Sequence, residues 1–223
     1  MFIHDDLTKR AVVESEKLEW VETRMKGVRR RMLERQGAEA GRATTVVDYD
    51  PESYFEPHVH SGGEEFIVLQ GIFSDEHGDF GPGYYVRNPP GSKHKPFSKD
   101  GCRIFVKLWQ MDEEVDTETV RIDTKNTEWL PGLVPGLSVM PLYQSAHENV
   151  ALVKWDAGTV FTPHAHHGGE EIFVLEGTFQ DEHGSYPAGT WLRSPHGSIH
   201  HPYSEEGCII YVKTGHLPIP KQD

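Results

Sequence analysis

Side chains able to hold a transition metal recur at fixed spacing, twice, in this 223-residue chain. His58 and His60 are separated by one residue, Glu64 follows four positions later, and His94 lies 30 residues beyond Glu64. The set returns 106 positions on as His164, His166, Glu170 and His200. Alternate residues of a strand face the same side, so each His-x-His pair projects together. Gly62-Gly63 and Gly168-Gly169 let the chain turn sharply, which brings each glutamate back towards its histidines. The interval to the last histidine has room for a hairpin, a Pro-containing turn and entry into a facing strand. Three imidazoles and a carboxylate suit Fe(II), Mn(II), Ni(II), Co(II), Cu(II) or Zn(II) without selecting strongly among them. A lone His-x-His is ordinarily surface decoration, whereas two complete sets in register make metal binding the expectation, one divalent ion per repeat.

The duplication extends well beyond these residues. From Val46 to Lys107 the chain aligns without a gap with Leu152 to Lys213, and 28 of the 51 pairs from Pro57 onward are identical. That level requires two copies of one fold rather than one shared motif. Upstream the offset becomes 109, with Trp20 matching Trp129 and Gly27 matching Gly136, so a length difference falls in the loop around 34–44. Turn residues such as Asp50-Pro51, His77-Gly78, Pro89-Pro90-Gly91 and Asp100-Gly101 arrive every eight to twelve positions, the cadence of an all-β sandwich or barrel. Phe66-Ile67-Val68-Leu69 is apolar on both faces, as in a strand covered on both sides. The expected organisation is a first barrel over 1–110 with an N-terminal arm, an acidic linker over 111–119, and a second barrel over 120–223 with a C-terminal strap. The stretches 16–25 and 125–134 read as extended or irregular, since Pro131 and Gly132 interrupt any helix in the second copy.

Bulk properties narrow the function classes. The net charge is −13, with 35 acidic and 22 basic residues, which disfavours nucleic acid as a partner. The short run Arg29-Arg30-Arg31 reads as a solvated strand edge. No apolar run is long enough for a membrane span, and the charged start lacks a signal-peptide segment, so a cytoplasmic location is expected. Cys102 and Cys208 hold equivalent places and read as buried core residues, with no Cys-x-x-Cys pair to make a thiolate site. Asp75-Glu76-His77-Gly78 and Asp181-Glu182-His183-Gly184 read as hairpin tips. Glu65 and Glu171 should point away from the ligand face, with Arg87 and Arg193 as their candidate ion-pair partners. His167, His196 and His201 enrich the second copy in histidine, which favours it if only one site is catalytic.

Pro-His-x-His-x-Gly-Gly-Glu-Glu, with a Gly six residues further on, resembles the first motif of the cupins, and Pro-x-Gly-Ser-x-His resembles the second. The fuller wording, with Val-Leu-x-Gly, Asp-Glu-His-Gly and Gly-Cys, is similar to the ChrR-like cupin group over nearly the whole chain. The resemblance implies two tandem cupin barrels (double-stranded β-helix, or jelly roll) and the eight metal ligands named above. Fe(II) or Zn(II) is the first expectation, Mn or Ni the next. Four protein ligands on an octahedral ion leave two neighbouring positions, enough for a bidentate enol, or one substrate atom beside O2. One expectation is therefore an Fe(II)-dependent dioxygenase acting on a small diketone or hydroxyketone, as some cupins with this ligand set are. Apolar barrel residues such as Phe66, Val68 and Tyr84, or Ile172, Val174 and Thr190, would exclude water. The alternative is a ChrR-like anti-sigma factor, or a Zn(II) sensor. The helical His-x3-Cys-x2-Cys module by which such anti-sigma factors grip the sigma factor has no counterpart before Cys102, so a sigma factor is a disfavoured partner. A monomer or homodimer is expected.

Overall fold

The computed structural model describes residues 1–38 and 40–220. Position 39, in the length-variable loop, and the end of the expected C-terminal strap, 221–223, lie outside the described residues. The fold is all-β: two short 3-10 turns, Ser15–Lys17 and Thr124–Asn126, are the helical elements among the described residues. None is long and apolar enough to cross a membrane. The chain forms two compact units, Met1–Asp5 with Leu18–Thr127 and Asp6–Lys17 with Glu128–Asp223.

In the first unit an eight-stranded antiparallel sheet runs in the order Phe2–Ile3, Val28–Gln36, Ala43–Tyr49, Cys102–Leu108, Glu64–Gly71, Tyr84–Asn88, Val120–Asp123, with Val21–Glu22 also beside Val28–Gln36. A smaller sheet of Gly78–Phe80, Phe73–Asp75, Phe97–Ser98 and Ser53–Tyr54, and a two-stranded ladder of His58–Val59 with Lys93–His94, complete it. Alternation selects the core: Phe66, Val68, Ile104, Val106, Val86 and Phe73 are buried together. Each fully buried aliphatic or aromatic side chain contributes about 1.5–3 kcal/mol. The residues between them, Ile67 and Phe105, are also buried, as the doubly apolar sequence requires.

The second unit repeats the plan. Leu130–Pro131, Leu137–Gln144, Asn149–Trp155, Cys208–Thr214, Glu170–Asp181, Thr190–Ser194 and Ala11–Glu14 form its main sheet, around Ile172, Val174, Leu192, Ile210 and Trp155. One assignment runs against sequence order. Ala11–Glu14 opens the first repeat yet pairs with Thr190–Ser194, Ala11 opposite Arg193. Val120–Asp123, its counterpart in the second repeat, pairs with Tyr84–Asn88, Val120 opposite Arg87. The two repeats thus exchange their first strands, register for register.

The Arg29-Arg30-Arg31 run is not a strand edge. It lies in Val28–Gln36, which is paired on both sides. Arg29 donates to Asp48 at 2.7 and 3.1 Å, and Arg31 sits 4.1 Å over the Trp20 ring. Arg30, one residue out of phase with both, turns to the inner face, where it lines a cavity.

Candidate metal centres

Register builds the first cluster. In the two-stranded ladder His58 lies directly opposite His94, and cross-strand neighbours of this kind have Cβ atoms about 5 Å apart. His60 follows, its backbone fixed by bonds from its own amide to Ser92 and from Gly91 to its carbonyl, both 2.9 Å. Gly63, at φ 74°, makes the turn; any Cβ there would run into Met111. Glu64 then opens the long strand opposite Asn88. The rings of His58, His60 and His94 stand 4.6–5.1 Å apart, and in the second unit those of His164, His166 and His200 stand 4.6–4.9 Å apart. In each unit one ligand atom from each of the four residues lies within 4.8 Å of all the others. Both predicted sets are therefore brought together.

The hydrogen bonds around each ring aim its other nitrogen inward. His58 Nδ1 donates to the Glu56 carbonyl at 2.8 Å, and His164 Nδ1 to Thr162 at 2.9 Å. His94 Nδ1 donates to Asp75 Oδ2 at 3.1 Å; the matching His200–Asp181 separation is 3.7 Å. The Nε2 atoms of His60, His94 and His166 are buried without a hydrogen-bond partner among the described residues. Buried polar atoms are rarely left so. Three imidazole nitrogens and a carboxylate oxygen facing one point are the donor set of a divalent ion, so each cluster suits one.

Protonation divides the histidines. Burial disfavours the imidazolium of His60, and pushes His166 down to about 3 with help from His200 and His164. His164 is lowered too. Burial acts the same way on His94 and His200, but the neighbouring carboxylates, Asp75 with Glu64 and Asp181 with Glu170, outweigh it and raise both. Buried Glu170 is pushed up to about 7 by desolvation. Opposite it stands Ser194, where the first unit has Asn88, whose amide donates to Glu64 Oε2 at 3.0 Å.

Asp75 and Asp181 were read from sequence as turn residues, and they are: Asp75 Oδ1 accepts from the His77 amide at 2.7 Å and Asp181 Oδ1 from His183 at 2.8 Å. Their second oxygens face the fourth histidine, a role that turn chemistry does not reveal. Glu65 points to the opposite face and meets Arg87 at 2.9 Å, with Asp116 on the other arm of that guanidinium at 2.6 Å. In the second unit Glu171 meets His216 at 3.1 Å and Trp191 at 3.3 Å; Arg193 donates to the Asp6 and Lys9 carbonyls. The extra histidines of the second copy stay outside its cavity. His196 Nδ1 accepts from the Gly168 amide, His167 stacks edge-on against His196, and His201 is exposed.

Each cluster borders a cavity. The first, about 430 Å³, is walled by Tyr49, Phe55, Ile104, Val106 and Leu108, and also by Arg30 and Arg35. The second, about 300 Å³, is walled by Val139, Val153, Trp155, Phe161, Ile172 and Ile210.

With fold and site in hand, comparison with known proteins identifies the class. The ChrR Cupin-like domain matches twice, over 8–112 and 117–218. The chain belongs to that family and carries two copies of its domain. No curated protein matches it by sequence. Among solved structures it is similar to a candidate dioxygenase from Nostoc punctiforme (TM-score 0.78, 13% identity, 96% of this chain and 88% of that one). It is also similar to protein Ylba from E. coli (0.73, 15%, 98% and 96%), and to an oxalate decarboxylase from Lactobacillus farciminis (0.65, 13%, 97% and 88%). At such identities the likeness establishes the cupin fold and nothing of the chemistry.

Proposed function

We propose that the protein is a metal-dependent enzyme, an Fe(II)-dependent dioxygenase acting on a small diketone or hydroxyketone. The observation that carries this reading is the set of buried imidazole nitrogens that lack hydrogen bonds among the described residues, turned with a carboxylate to one point beside a cavity. His58, His60, Glu64 and His94 would hold one ion, and His164, His166, Glu170 and His200 another. Bound Fe(II) would supply neighbouring coordination positions for an enol and O2. The chain supplies the rest. Glu56 and Thr162 carbonyls and the Asp75 and Asp181 carboxylates fix which imidazole nitrogen faces inward, as the outer partners of metal-bound histidines commonly do. Burial keeps His60 and His166 neutral and able to donate. Phe55 and Phe161 lean on the rims of His58 and His164 at 5.8 and 4.9 Å, and with the aliphatic walls they keep bulk water from the ligand face.

The test is elemental analysis of protein purified without added metal, followed by oxygen-uptake assays with acetylacetone and small hydroxyketones. Iron, with uptake lost in His58→Ala/His60→Ala or His164→Ala/His166→Ala, supports the proposal. Zinc in both sites and no uptake after exchange for Fe(II) would overturn it and give instead the Zn(II) sensor suggested by the family's regulatory members.

A further inference from the structure

The carboxylates behind the fourth histidine of each cluster keep different company. Asp75 Oδ1 accepts from the His77 amide at 2.7 Å, and its Oδ2 lies 3.1 Å from His94 Nδ1. Among the described residues it pairs with no arginine or lysine. Asp181, at the equivalent place, is more heavily engaged. Its Oδ1 accepts from the His183 and Gly184 amides at 2.8 and 3.1 Å, and from the Tyr186 hydroxyl at 2.7 Å. Arg10 Nη2 lies 3.4 Å from its Oδ2 and donates to the Tyr186 oxygen at 2.5 Å. His200 Nδ1, at 3.7 Å, faces that same Oδ2. Neither added group recurs in the first unit. Phe80 stands for Tyr186, and exposed Thr119 stands for Arg10 once the exchanged strands are aligned by register.

We infer that Arg10 tunes the second metal centre through Asp181, drawing that carboxylate's charge away from His200 and loosening the hold of the site on its ion. This rests on the metal assignment within the proposed function and not on the reaction. An outer carboxylate raises the basicity of the imidazole it faces, and it does so less as other donors take up its charge. A guanidinium takes up that charge at every relevant pH, because it stays protonated. The Asp181 side chain is 2% exposed and that of Arg10 33%, so the contact lies mostly out of water, where charges act strongly on one another. Asp181 does not need Arg10 to keep its place. Two turn amides fix one of its oxygens, and Asp75 comes within 3.1 Å of its own histidine with a single such amide. Arg10 is therefore a positioning residue that acts on His200 at one remove. It reaches the second centre because the segment leading into Ala11–Glu14 belongs to that unit.

The test uses the full chain carrying His58→Ala/His60→Ala, which leaves the second site to bind alone. Zn(II) affinity is read by competition with a chelating dye, and the His200 Nδ1–H proton by NMR of the Zn(II)-loaded protein. Arg10→Gln is expected to raise Zn(II) affinity about three- to tenfold, part of the 10–100-fold that an outer partner is commonly worth. The proton resonance should move downfield as Asp181 closes on Nδ1. Arg10→Lys keeps the charge and should stay within about twofold of the parent. Should Arg10→Gln fold poorly, Arg10→Met retains the apolar stem and should give the same gain. In an Asp181→Asn background Arg10→Gln should change affinity by less than about twofold, which separates an effect carried by Asp181 from one through space. A fall in affinity with Arg10→Gln would mean that Arg10 merely braces the carboxylate, and would overturn the inference. So would no change, or an equal gain in the Asp181→Asn background. Failure of the parent protein to bind Zn(II) at all would remove the metal assignment together with this inference.

Discussion

The two barrels share their ligands, their register and their glycine turns, and they part company in what surrounds the ligands. In the first, Asn88 donates to the Glu64 oxygen that faces His60 and His94, Asp75 lies within hydrogen-bonding distance of His94, and two arginines line the cavity. In the second, Ser194 replaces the asparagine, Asp181 stands 3.7 Å from His200, and the cavity wall is apolar. Asp181 is also shared: Tyr186 donates to it at 2.7 Å and Arg10 lies 3.4 Å away. The nearby His200 and the hydrogen bonds from Tyr186 and the His183 amide overcome the opposing effect of burial and hold it at about 2. Phe80 occupies the Tyr186 position in the first unit. Duplication has preserved the His/Glu cluster and let its surroundings diverge, and for a bound metal the surroundings tune affinity and substrate choice.

The bluntest way to break this comparison is to remove ligands. His58→Ala with His60→Ala should empty one site and lower bound metal per chain by about half, since affinity depends on the full ligand set; the His164→Ala/His166→Ala pair should do the same. Loss of both ions from either double variant, read by elemental analysis, would show that the sites are not independent.

Next in size is the carboxyl of Glu170. Its folded value of about 7 exceeds the ordinary carboxylate value, so the folded protein binds the extra proton and loses stability as pH rises between the two values. Metal-free Glu170→Gln should therefore gain on wild type from pH 5 to 8, by up to about 3 kcal/mol for a shift of this size. Ser194→Asn should recover part of that gain. Thermal melts showing no pH-dependent gap would discard the account of the buried, poorly supported carboxylate.

Outer partners should matter less. Asp75→Asn and Asp181→Asn should each weaken metal binding by about 10–100-fold, with the larger loss at Asp75, whose oxygen is closer to its histidine. Equal losses in metal-competition titrations would mean that the distance difference has no energetic weight. The smallest contrast expected is at the cysteines. Both are buried, and desolvation raises each thiol to about 11, so neither should react with iodoacetamide at pH 7 until the protein unfolds. Selective labelling of one would reveal an opening specific to that barrel.

Much of this architecture could be read directly. Ligand spacing, glycine pairs and the internal repeat carry period-two and turn information, which is local, so both clusters were foreseen residue by residue. What escaped depended on non-local register. Nothing local says that Asp75 reaches His94, or that Asn88 lies opposite Glu64, because those meetings follow from which strands pair. Arg30 and Arg35 were hidden by a bulge that shifts phase within one strand. The three surplus histidines brace a turn or face solvent, which residue type alone does not say.

The exchange of first strands bears on the order in which the chain can fold as it is made. The first unit's sheet gains its last strand once Asp123 has been synthesised, 15 residues after Cys102–Leu108 ends. Ala11–Glu14 is made long before its partner Thr190–Ser194, which comes about 180 residues later. Contacts so distant in sequence form slowly, and a strand left waiting is open to wrong partners. While Phe2–Ile3 can pair early with Val28–Gln36, Ala11–Glu14 is among the last strands to be built in. It acts as a latch that closes only on a nearly finished protein.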